Sequence, residues 1–222
     1  MRPHYSHIAG QSLERLAALS DGIFAVAMTL LVLDLRVPLG DAVHTVQPLW
    51  VSGAIQSERV LWDALVQLAP SLLTYFMSFL TLGIFWVGQQ TQFSHFARSN
   101  RDLTWIHLAF LCGVALMPFS TGLLAEYITY RLALVVYWLN LLLLGMLLLG
   151  SWRYAERSQL VQNETPVEIH SVQIRRILGY QALYAFGMLL CVINTYVSIA
   201  FIIFVQLNAA IISPRLPLFD RF

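Results

Sequence analysis

The sequence predicts an all-α membrane protein with six transmembrane helices per chain. Composition, six apolar runs of membrane-spanning length and a lopsided distribution of arginine predict it. Of the 222 residues, 58% are hydrophobic and 11% charged, and the mean hydropathy is +0.68. Soluble domains carry about 25% charged residues, and a chain this short has no interior large enough to hide so much apolar surface. The formal net charge of +1 gives no electrostatic reason to bind nucleic acid or an acidic substrate. Cys112 and Cys191 both lie in apolar runs without a CxxC spacing, so neither a disulfide framework nor a metal site is implied, and no cofactor is expected.

The helices follow in order from the apolar runs, since a span needs about 20 such residues. They fall at about 13–36, 63–88, 103–125, 132–152, 174–193 and 195–213, within one domain covering 1–222. The first follows a polar stretch containing His4 and His7, whose spacing suits a metal only weakly. It is longer than a signal-peptide core and lacks a convincing cleavage site, so it is expected to be retained. The second contains Pro70, and the third contains Pro118, which should kink it. The fifth is the weakest of the six. The connection 37–62 has room for a short interfacial helix, and 153–173 is polar and helical at its start. Trp62, Trp86, Trp105 and Trp152 fall near span ends and read as interfacial anchors. Asn140 and Gln206 lie within spans and should hydrogen-bond across helices.

Arginine sets the orientation. With a cytoplasmic N-terminus, ten arginines fall on inner segments, and only Arg36, Arg59 and Arg131 fall outside. That bias places both termini in the cytoplasm.

The first helix differs from the others because Asp21 lies inside it. An acidic group at bilayer depth is costly and is a functional candidate by default. At about 100° per residue, Leu19, Ile23, Val26, Leu30 and Leu33 form one apolar stripe. Ala18, Gly22, Ala25 and Thr29 form a second stripe of small residues, within about 60° of Asp21. Small residues mark close helix packing, so Asp21 is expected to face a protein interior. Periodicity alone favours lipid as the neighbour of the branched stripe. Arg15 and Asp21 are too far apart around one helix to pair, so each should find partners on other helices.

Arg15-x-x-x-Leu19-Ser20-Asp21-Gly22 resembles the R-x-x-x-F-S-D-G signature that opens the first helix of the transmembrane protein 175 family, the endolysosomal-type potassium channels and their prokaryotic relatives. The segments at 85–87, 101–111, 117–127 and 152–155 look like that family too, so the resemblance covers about 13–157. Three positions depart from it. Leu19 replaces the usual Phe, Gln89 and Gln90 replace a histidine pair, and His107 replaces an asparagine.

The resemblance implies a potassium-over-sodium leak channel in a prokaryotic plasma membrane, its partners being potassium ions, the lipid bilayer and three further copies of itself. The first helices of the homotetramer would surround a central pore. The sequence has no TVGYG, so a carbonyl filter is absent. Val26, Leu30 and Leu33 would instead form the constriction, with Thr29 beside them. The stripe found by periodicity thus moves from lipid face to pore face. Valine is the shortest of the three, so Leu30 or Leu33 is expected to be the tightest ring. Arg15, Ser20, Asp21, Gly22 and His107 are implied as a structural network supporting the pore helix.

Two alternatives share the scaffold, a proton-conducting channel and a small-solute secondary transporter. Transporters favour inverted repeats and paired broken helices, and the sequence shows no convincing repeat. A membrane enzyme would need clustered nucleophiles, acids or metal ligands, and none occurs, so no enzymatic activity is expected.

Overall fold

The computed structural model describes residues 13–35, 54–162 and 167–211. These form eight α-helices: α1 Leu13–Leu30, α2 Ala54–Gln67, α3 Ala69–His95, α4 Arg101–Ala115, α5 Met117–Glu126, α6 Arg131–Arg157, α7 Val167–Leu189 and α8 Thr195–Ile211. A 3-10 turn at Leu31–Asp34 extends α1, and another at Leu190–Val192 follows α7. His4 and His7 lie outside the described residues.

Four segments are long and apolar enough to cross a bilayer: Leu13–Leu33, Ala69–His95, Arg101–Glu126 and Arg131–Arg157. Thr195–Ala210 is apolar but shorter. α7 starts earlier than the apolar run at 174, and its first turns, VEIHSVQIRR, are polar.

The two prolines act in related ways. Where the sequence suggested one helix over 63–88, α2 closes at Gln67, and α3 opens at Ala69 with Pro70 in its first turn. A helix needs no N–H donor there, so Pro70 begins a helix instead of bending one. α3 then continues past 88 to His95, where Phe96 in extended backbone ends it. Pro118 has the expected effect on the third span. It cannot donate to the carbonyl one turn back, and the span breaks at Leu116 into α4 and α5. α4 itself starts cleanly, because the Asn100 side chain accepts from the Leu103 N–H at 2.9 Å.

α6 is the central helix and contacts α3, α4, α5 and α7. Its buried residues include Leu134, Tyr137, Leu141, Leu144 and Leu148, at helical spacings of three and four. Glycines permit two close approaches. A Cβ on Gly113 of α4 would lie 2.9 Å from Leu144 Cδ2, and one on Gly145 would collide with the Gln181 amide of α7. At the foot of the bundle Gln159 takes a left-handed φ of 52° and turns the chain back. Leu160 then accepts from the Ala97 N–H at 2.8 Å, and Val161 bridges to Phe96.

A seam of hydroxyls and amides crosses the apolar core. Thr121 of α5 donates to Ser78 of α3 at 2.7 Å. Thr81 shares a hydrogen bond with the Tyr137 hydroxyl at 2.9 Å, and Gln206 of α8 donates to Thr81 at 2.6 Å. Asn140 donates to Ser120 at 3.2 Å. Asn140 and Gln206 therefore bond across helices, as expected. Trp152 does not behave as an interfacial anchor. It is fully buried and stacks on Phe96 at 5.9 Å, because the Phe96–Val161 bridge folds the chain over it. Cys112 is exposed and Cys191 buried, both as free thiols.

Candidate functional site

α1 is the least buried of the four long apolar spans. Leu16, Ser20, Phe24, Ala27 and Leu31 form its buried face. Phe24 meets Phe110 of α4 at 6.1 Å between ring centres, and Phe110 meets Phe85 of α3 at 6.2 Å. These rings fix the rotation of α1 against α3 and α4.

The rest of α1 faces away from its own chain. Val26 is 57% exposed, Leu30 42% and Leu33 68%. The small residues Ala18, Gly22, Ala25 and Thr29 are exposed as well. This corrects the expectation that the small-residue stripe packs inside the protomer: a Cβ on Gly22 would meet nothing within 4 Å. The large aromatic Phe24, not the small stripe, holds α1 to its neighbours. An open groove runs along Ala18, Gly22, Val26 and Leu30 and reaches Ala115 of α4. The Thr29 hydroxyl is folded back, donating to the Val26 carbonyl at 2.8 Å.

Asp21 lies on the exposed side yet finds its partners on another helix. Its Oδ1 accepts from Trp86 Nε1 and from Gln90 Nε2 of α3, both at 2.8 Å. Trp86 and Gln90 are four residues apart and so share one face of α3. Two donors on one carboxylate oxygen stabilise its ionised form and clamp α1 to α3. Sequence reasoning did not assign this pair. The signal was present in the i, i+4 spacing of two side-chain N–H donors near a bilayer-depth acid.

The other signature residues are dispersed. Ser20 is buried and donates to its own Leu16 carbonyl at 3.0 Å. Arg15 occupies an exposed position in the first turn of α1. His107 is buried against aromatic rings, edge-on to Phe93 at 4.7 Å and stacked on Phe96 at 6.3 Å. Its Nε2 has no hydrogen-bond partner among the described residues, nor has the amide of buried Gln89. The structure thus brings Asp21 to Gln90 and separates Gln89 from it, since successive helical residues point about 100° apart. Among the described residues no group of three or more metal-ligating side chains occurs.

A multi-span apolar bundle, with a carboxylate hydrogen-bonded between two spans, defines an integral membrane protein. Residues 15–118 match the family model described as endosomal/lysosomal potassium channel TMEM175. The chain belongs to the TMEM175 family. It is 31% identical to a potassium channel of Chamaesiphon minutus over 190 residues, 83% of this chain and 87% of that one. It is 36% identical to a potassium channel of Streptomyces collinus over 148 residues, 65% of each chain. The crystal structure of a lysosomal potassium-selective channel TMEM175 homolog from Chamaesiphon minutus superimposes with a TM-score of 0.73 at 26% identity. That match covers 90% of this chain and 97% of the other. A Gallus gallus relative, named an endosomal/lysosomal proton channel, is 29% identical over 52% of this chain and 22% of its own. The names of these relatives are those of ion channels, not enzymes.

Proposed function

We propose that the chain is a passive cation channel, conducting potassium in preference to sodium, with the α1 helices of four copies around a central pore. One observation carries this reading: Val26, Leu30 and Leu33 form an apolar stripe that the protomer leaves exposed while the adjoining face of α1 is anchored by Phe24. A ring of such side chains excludes water when narrow and passes a partly hydrated ion when slightly wider. Closed cyclic symmetry supplies the ring. The names of the bacterial potassium-channel relatives support the choice of ion. α7 with its 3-10 turn and α8 serve as fifth and sixth spans, and the arginine bias puts both termini in the cytoplasm, at a prokaryotic plasma membrane. Asp21 supports the pore helix and does not coordinate the ion, because Trp86 and Gln90 occupy its Oδ1. Arg15, Ser20, Gly22 and His107 belong to the same supporting structure, and Thr29 lies beside the rings.

A second reading is proton conduction, favoured by the name of the Gallus gallus relative. Purified protein in liposomes separates the two, with potassium, sodium or caesium gradients applied in turn and internal pH read independently. Potassium flux exceeding sodium flux, without an equivalent proton flux, is the expected result. Leu30→Ala should raise flux and reduce the preference for potassium. Unchanged flux and preference in that variant would remove Leu30 from the pore, and failure of the parent to pass any monovalent cation would overturn the channel reading.

A further inference from the structure

Two clefts meet at one arginine on the flank of the bundle. The inner cleft lies between α3, α6 and α7, with Ile84, Phe85, Leu148 and Ile177 on its walls. The outer cleft follows α3 past Phe79, Leu80, Gly83 and Val87 to Ala209 and Ala210 near the end of α8. Ile84 forms the ridge between them, and Arg176 lines both. Arg176 is exposed, and it sits where the polar first turns of α7 give way to the apolar run beginning at Ile177. That is the depth at which lipid headgroups begin. Inside the inner cleft Gln181 is only 8% exposed, and its Oε1 finds no donor among the described residues.

We infer that the two clefts and Arg176 form a binding site for a two-chain anionic phospholipid. Its phosphate lies on the guanidinium, whose planar fork of N–H donors matches phosphate oxygens. One acyl chain enters each side of the Ile84 ridge. Two apolar furrows joined at a single cation match a diacyl lipid better than a single-chain ligand, and they match a free anion not at all. Trp86 lines the outer cleft and also holds Asp21, so the bound chain touches the contact that clamps α1 to α3. The site itself stands independently of what the pore conducts.

The full chain in nanodiscs of equal phosphatidylglycerol and phosphatidylcholine provides the test, with retained lipids counted by native mass spectrometry. The parent should retain phosphatidylglycerol preferentially. Arg176→Gln should lower that preference about fivefold, the effect of one arginine at a membrane surface. Gly83→Leu should lower retention with Arg176 intact. Open space surrounds a Cβ at that position, so the side chain fills the cleft without displacing the fold. An unchanged preference in Arg176→Gln overturns the headgroup assignment, and unchanged retention in Gly83→Leu overturns the chain assignment. Loss of bound lipid on adding inorganic phosphate would mark a simple anion site. Dissociation of Gly83→Leu to single chains would mark the outer cleft as a face between copies. Either result overturns the proposal.

Discussion

Asp21 is the residue on which α1 and α3 agree. A lone carboxylate at bilayer depth is expensive, and here two N–H donors at 2.8 Å offset that cost. Asp21→Ala removes the acceptor and leaves the Trp86 indole and Gln90 amide unpaired, which should cost about 1 kcal/mol. Asp21→Asn keeps an acceptor oxygen and should lose less. Thermal unfolding in detergent compares the two, and equal losses would sink the hydrogen-bond account. The acid was legible in the sequence because a charge in an apolar run stands out. Its partners were not, because tryptophan near a span end reads equally well as an interfacial anchor. Trp152 shows the same ambiguity resolved differently, by a chain reversal at Val161 that buries it.

At the level of elements, hydrophobic runs gave the helices, while tertiary packing set their limits. Pro118 announced the break between α4 and α5 because its missing N–H interrupts any helix it sits inside. Pro70 looked the same in sequence but begins α3, since α2 carries the preceding apolar residues in a separate helix. The close approach of α6 to α7 was not legible, because no sequence pattern says that Gln181 lies over Gly145. It makes a sharp prediction. Gly145→Ala drives a Cβ into the Gln181 amide and should destabilise the bundle by about 1–3 kcal/mol, as overpacking does. Gln181→Ala in the same chain removes the colliding atoms and should recover most of the loss, apart from the 3.2 Å bond that Gln181 donates to the Leu141 carbonyl. Non-recovery of the melting temperature in the double variant would place the strain elsewhere.

For the whole molecule, the protomer buries one face of α1 and leaves the Val26, Leu30 and Leu33 face without a partner from its own chain. Four-fold assembly gives that face a common axis. Light scattering corrected for detergent should therefore report four chains of 25.1 kDa. A stable single chain would leave the proposed ring without members.

The seam of Ser78, Thr121, Tyr137, Thr81 and Gln206 has a consequence for temperature. Water-soluble proteins cohere largely by expelling water, a force that fades on cooling. Lipid tails are as apolar as leucine, so between membrane helices that force is missing, and hydrogen bonds and close packing take its place. Chilling therefore withdraws little of what holds these helices together. In the cold, the stiffening of the surrounding lipid governs this bundle sooner than any loosening of the bundle itself.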